Sequence, residues 1–133
     1  MIALDTSVLA RFILNDTPAE HDIAAALITD NNCSISWSVL VELCWVLEYN
    51  ADLPRNEVVD GFRTVANIDR IAVPDYELLI WAIDRYAQGA DFADMIHLAS
   101  AVAGATEFAC FDRRLAHQAG HDAPVPVRTL RAT

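Results

Sequence analysis

Carboxylates at five positions stand where the local sequence does not call for a charge. Asp5 ends an apolar segment over residues 1–4, and Asp112 ends a second one over 108–111. Glu42 interrupts a run over 37–49 that is otherwise apolar on nearly every side. Asp91 and Asp94 lie three residues apart, a spacing that puts both on one face of a helix. If Asp5, Glu42, Asp94 and Asp112 converge, their mutual repulsion demands divalent cations, and all-oxygen ligation favours Mg2+ or Mn2+ over zinc. Such a centre hydrolyses phosphodiesters. Metal ions about 3.5–4 Å apart can make hydroxide from water and stabilise the leaving oxygen, with no Lys, Ser or His nucleophile.

Each acid also has a purely structural explanation. An Asp at a strand end is a common helix cap. Glu42, if buried, could pair with an Arg or be held neutral, since an unpaired buried carboxylate costs several kcal/mol. Two carboxylates in a first helical turn gain from the helix N-terminus, so Asp91 is assigned mainly to capping and Asp94 to the site.

The elements that must position these residues follow from the apolar periodicity. A strand over 1–4 leads into a helix with Val8, Leu9, Phe12 and Ile13 at helical spacing, for which Thr6 is the candidate cap. Pro18 opens a second helix to about Thr29, and 33–36 is the next strand. The run over 37–49 reads as a buried helix. A helix from Pro54 carries Val58, Val59, Phe62 and Val65, and is followed by a strand over 71–73 and a helix over 75–87 that Gly89 terminates. Residues 91–103 form a further helix, 108–111 a fourth strand, and 125–130 an edge strand. Short strands alternating with helices predict an α/β fold: a mostly parallel sheet with helices on both faces, in one domain over 1–133. In such sheets the functional crevice lies at the carboxyl ends of the strands, where Asp5 and Asp112 fall.

Composition removes several competing functions. The net charge is −10, and all nine basic residues are Arg. A broad basic face for nucleic acid is therefore excluded. Without Lys there is neither a P-loop nor Schiff-base chemistry. Gly-x-Ser-x-Gly and His-Glu-x-x-His are absent, which leaves serine-hydrolase and zincin readings without residues. Haloacid-dehalogenase phosphatases and response-regulator receivers also place Asp at strand ends, but each expects a Lys, and Ser7 stands where the phosphatase motif needs a second Asp. Cys33, Cys44 and Cys110 are odd in number, far apart and set in apolar runs, as buried thiols of a reducing compartment are. No stretch is long and apolar enough to cross a bilayer, so a cytoplasmic protein without membrane contact is expected.

The quoted residues carry a resemblance. Asp5-Thr6-Ser7-Val8-Leu9, Ser38-Val39-Leu40-Val41-Glu42, the segment from Gly89 to Ala99 containing Asp91, Asp94 and His97, and Phe111-Asp112-Arg113-Arg114 occur in the order found in PIN-domain ribonucleases. Across essentially the whole chain the sequence resembles that family, in particular VapC-type toxins of prokaryotic toxin–antitoxin pairs. The resemblance implies a three-layer α/β/α domain with a central, mostly parallel five-stranded sheet. It also implies Mg2+- or Mn2+-dependent endonucleolytic cleavage of RNA, a homodimer, and inhibition by a VapB-type antitoxin in a heterotetramer or larger assembly. Asp5, Glu42, Asp94 and Asp112 fall on the family's acidic quartet, and Thr6 or Ser7 would orient Asp5.

Two departures stand out. Cys110 occupies a position where the family often has Thr, and Asp91 adds a fifth acid that could reach a metal through water. Arg11, Arg113 and Arg114 are the basic residues nearest the quartet in sequence and are the candidates for contact with RNA phosphate, with surface ion pairs as the alternative. His97, one turn from Asp94, reads as a packed or surface residue rather than a base. Trp37, Trp45 and Trp81 sit on apolar helices and are expected in the core, in a dimer interface or under an antitoxin helix, rather than stacked on RNA bases, which would place them beside polar or basic positions. A different class remains open: a non-catalytic module on the same fold whose acidic pocket receives an Arg from a partner protein.

Overall fold

The computed structural model describes residues 1–132, which cluster into two compact units, 1–76 and 77–132. In the first unit the order is β1 (Ile2–Ala3), α1 (Thr6–Leu14), α2 (Pro18–Asp30), β2 (Cys33–Ser34), α3 (Trp37–Trp45), a π-helical turn (Val46–Asn50), α4 (Arg55–Ala66) and β3 (Ile71–Ala72). β1, β2 and β3 pair side by side and parallel, with Ile2 opposite Cys33 and Cys33 opposite Ile71. The amide of Leu4 donates to Ser34 at 2.8 Å and that of Ile35 to Ala72 at 3.0 Å, so the ladder runs slightly past the strands themselves. Parallel neighbours need a crossover, and α1–α2 and α3–α4 supply it. Leu9, Leu40, Leu43, Leu47, Val58 and Phe62 are buried in this unit.

Helix starts in this unit follow local chemistry, with one change from expectation. Asp5, not Thr6, caps α1: its backbone is extended and its carboxylate accepts from the Ser7 amide. Pro18 stands at the start of α2, and the Ser36 hydroxyl caps α3 by accepting from the Val39 amide at 3.3 Å.

The run over 37–49 is not one buried helix. It is α3 followed by the π turn, in which the Ala51 amide reaches five residues back to Val46 at 3.0 Å. Leu40, Leu43 and Leu47 are buried, whereas Glu42, Trp45 and Tyr49 are exposed. An apolar sequence exceeded what the packing surface could cover.

In the second unit α5 (Tyr76–Ala87) is followed by α6 (Phe92–Ala101), β4 (Phe108–Cys110), α7 (Leu115–Ala119) and β5 (Val127–Thr129). β4 and β5 are parallel, Phe108 opposite Val127 and Cys110 opposite Thr129. Leu79, Ile83, Tyr86, Met95, Leu98 and Leu115 are buried here, and Tyr86 meets Phe92 edge to face at 5.6 Å between ring centroids. Gly89 adopts φ 113° beyond the end of α5, a conformation open to glycine and strained for other residues.

The alternating order and parallel pairing agree with the α/β class read from sequence. Each described strand is two or three residues long, shorter than the segment read for it from sequence, and the described ladders are one of three strands and one of two. Helix α7 was not anticipated, because five residues are too few to show a period. Cys33 and Cys44 are buried as expected, but Cys110 is only half-buried. Among the described residues no helix is long and apolar enough to cross a membrane.

Candidate active site

Asp5 sits where β1 turns into α1. Its Oδ2 accepts from the Ser7 hydroxyl at 2.7 Å and from the Ser7 amide at 3.3 Å. These bonds, the hydroxyl's first, hold the Asp5 carboxyl below its ordinary pKa, because each favours the charged form. Ser7 is thus the hydroxyl that orients Asp5. The Thr6 hydroxyl, the other candidate, is buried without a hydrogen-bond partner among the described residues.

Replacing Ser7 with Ala should move the Asp5 pKa up toward the ordinary carboxylate value in metal-free protein. A carboxyl-carbon NMR titration of wild type and variant reads this directly, and an unchanged titration would mean that the hydroxyl does not hold the charge.

Glu42 stands in the second turn of α3, which packs against α1, and its side chain is exposed. The expected burial of Glu42 is therefore corrected. Water solvates this carboxylate, and no buried Arg or neutral form is needed to explain it.

Three acids gather in the second unit. The Asp91 carboxylate caps α6, accepting from the Asp94 amide at 2.9 Å. Asp112 follows β4, and its Oδ1 accepts from the backbone amide of Arg114 at 2.9 Å and from the Arg114 Nε at 3.3 Å. Those bonds, the amide's first, lower the Asp112 pKa. Asp94 shifts the other way: partial burial raises its pKa most, Asp91 adds to this and Asp112 contributes in the same sense, against a smaller pull from His97 and Arg114. Burial and the two flanking carboxylates thus disfavour the Asp94 charge, and His97 and Arg114 offset this only in part. The donor set is all carboxylate oxygen, which fits Mg2+ or Mn2+. Among the described residues no three His, Cys, Asp or Glu side chains already form a metal cage.

The arginines differ from one another. The Arg11 guanidinium binds Asp16 at 3.2 Å and Thr17 at 3.1 Å, with Glu20 at 3.9 Å, so its charge is largely answered within the α1–α2 hairpin. Arg114 pairs with Asp112 while its side chain remains 80% exposed, and Arg113 is exposed as well. The Cys110 thiol donates weakly to the Asp112 carbonyl at 3.5 Å, so a thiol can stand near Asp112 where a hydroxyl was expected. His97 is exposed on α6. Trp45 is exposed, one of the placements that the sequence left open for it, whereas the exposure of Tyr49, four residues on in the same row of the helix, was missed.

The PIN domain family matches residues 2–121, a span that contains Asp5, Glu42, Asp91, Asp94 and Asp112. No curated protein matches the chain. PIN domains are typically nucleases, which agrees at a coarse level with hydrolytic chemistry at acidic side chains. By this match over most of its length, the chain belongs to the PIN domain family.

Proposed function

We propose that the protein is a Mg2+- or Mn2+-dependent endoribonuclease whose metal-binding acids are Asp5, Glu42, Asp94 and Asp112. The observation that supports the reading most is the grouping of Asp91, Asp94 and Asp112, in which the Asp91 carboxylate accepts from the Asp94 amide at 2.9 Å and burial, with both flanking acids, raises the Asp94 pKa, inside a segment matched by a family that is typically nuclease. The metal, when bound, supplies activated water and charge stabilisation at the phosphate. The protein's own groups do the positioning. Ser7 fixes the Asp5 carboxylate in its ionised form, Asp91 anchors the first turn of α6 beneath Asp94, and Arg114 holds Asp112 at the end of β4. Arg11, Arg113 and Arg114 are the proposed phosphate contacts, the exposed pair Arg113 and Arg114 being the better placed.

The family match runs across both compact units, which supports one PIN domain over 1–133. On the resemblance of its motifs the protein acts in the cytoplasm as the VapC-type toxin of a type II toxin–antitoxin pair. It would be a homodimer silenced by a VapB-type antitoxin in a heterotetramer or larger assembly.

Asp5→Asn tests the nuclease reading. Folded, metal-supplemented variant should lose RNA cleavage, and cleavage at the wild-type rate would sink the proposal. The competing module, an acidic pocket that only receives a partner's Arg, predicts no Mn2+ uptake by wild type in calorimetry at millimolar metal.

A further inference from the structure

Arg114 gives Asp112 two hydrogen bonds on one oxygen, and they differ in kind. The backbone amide of Arg114 donates to Oδ1 at 2.9 Å and closes the turn from β4 into α7. The guanidinium reaches the same Oδ1 through Nε alone, at 3.3 Å. Neither Nη of Arg114 nor Oδ2 of Asp112 has a partner among the described residues. The Arg114 side chain is 80% exposed, against 38% for that of Asp112. A fork-to-fork pair would engage two nitrogens with two oxygens, and this one engages Nε only. So exposed a contact hardly repays the rotamer freedom of a long side chain, and breaking it changes an equilibrium by no more than about fivefold.

The amide therefore suffices to position Asp112, and what the guanidinium adds is charge. That charge acts on two acids. It favours the ionised form of Asp94 as well as of Asp112, whereas His97 acts on Asp94. A loosely held monovalent cation thus stands against two carboxylates assigned to the metal. Arg113, the adjacent residue, is exposed and makes no ion pair among the described residues, so nothing ties its charge to either acid. A divalent cation at Asp112 repels the Arg114 guanidinium and answers the carboxylate more strongly than one positive charge does. Once released, a planar guanidinium with all its donors open suits a phosphate.

We propose that Arg114 is the resident counter-cation of the acidic site: its guanidinium pairs with Asp112 in the metal-free protein, yields that place to a divalent cation, and then meets a phosphate of the RNA. The inference rests on the nuclease reading for its metal and substrate, and it adds an order of events. The Arg114 contact to RNA becomes available only when the site is loaded. Metal and RNA then strengthen each other's binding, by linkage.

Calorimetry with Mn2+ and no RNA reads the first half. If Arg114 competes for Asp112, Arg114→Ala should tighten Mn2+ binding about threefold to fivefold at low ionic strength, and less as salt screens the pair. A guanidinium that braced Asp112 for the metal would give the opposite sign. Arg114→Lys keeps the charge and should bring the affinity back to within about twofold of wild type, and Arg113→Ala should move it by less than about twofold. The Arg114 Nε–H resonance, identified in NMR spectra by its loss in Arg114→Lys, should shift when diamagnetic Mg2+ is added. With RNA the direction reverses: Arg114→Ala should raise KM more than it lowers kcat.

Mg2+ binding that leaves the Nε–H resonance in place, with Mn2+ affinity in Arg114→Ala equal to wild type or weaker, overturns the exchange and leaves the nuclease reading intact. A shifting resonance and tighter Mn2+ binding by Arg114→Ala, in a protein that never cleaves RNA, support the exchange and overturn the nuclease reading. No Mn2+ uptake at millimolar concentration overturns both.

Discussion

Asp94→Asn should abolish RNA cleavage without weakening the fold. Losing a group that only orients a metal ligand typically costs about 10–100-fold in affinity or activity, so loss of a carboxylate that holds the metal should cost at least about a hundredfold in kcat/KM. Stability should move the other way in metal-free protein. Burial, Asp91 and Asp112 raise the folded-state pKa of Asp94, so the native state binds its proton more tightly than the unfolded chain does. The stabilisation is fully present below the unfolded pKa and is lost as pH rises through the raised folded value. At neutral pH the ionised side chain is a net burden. Asn removes that charge while keeping the shape. The Asp91 carboxylate, which accepts the Asp94 amide, still serves the helix N-terminus. Because Asp94 is only partly buried, solvent screening keeps the gain small, and the metal-free Tm should equal wild type or exceed it by up to about 3 °C.

Cleavage assays with Mn2+ and thermal melts in chelator measure the two arms. A structural role for Asp94 predicts the reverse pattern: a lower Tm with activity that recovers at low temperature. That result would remove Asp94 from the site.

Gly120→Ala should be among the most destabilising single substitutions outside the apolar core, at about 3 kcal/mol. Two effects act at this position. Gly120 adopts φ 82° and ψ −178°, a region essentially restricted to glycine, so any side chain there strains the backbone by about 1–3 kcal/mol. A Cβ at this position would also stand 3.1 Å from the Arg85 Cζ. Arg85 is long and could swing aside, but its guanidinium is occupied. Nε donates to the Gln118 carbonyl at 2.6 Å, Nη2 to the His117 carbonyl at 3.3 Å and Nη1 to the Gln88 side chain at 3.0 Å. Moving it uncouples α5 from the carboxyl end of α7, where these charge-assisted bonds satisfy carbonyls that the helix leaves open.

The collision exists only while Arg85 is present. Urea unfolding of Gly120→Ala, Arg85→Ala and the double variant should therefore give a double loss smaller than the sum of the singles, by about 1–2 kcal/mol. Strict additivity would mean that backbone strain alone sets the cost and that Arg85 is not coupled to this glycine.

Much of this protein was legible before any coordinates. The order of strands and helices, Pro18 at the head of α2, Gly89 beyond α5 and Asp91 as the cap of α6 are local matters, set by dihedral preference and by hydrogen bonds spanning two to four residues. The five acids could be picked out for a similar reason, because strand ends and helix starts are visible in the chain itself. What the sequence could not decide was how much neighbouring surface each element meets. The run over 37–49 is apolar enough to be buried all round, yet Glu42, Trp45 and Tyr49 face water. Strand lengths depended on how far parallel neighbours stay in register. The choice of Ser7 over Thr6 as the partner of Asp5 turned on which hydroxyl the first turn of α1 swings back toward the cap. Arg85 was one of nine arginines until folding brought the end of α7 beside it. Burial and partnership between distant residues are properties of the packed chain, because each depends on atoms that no local window of sequence contains.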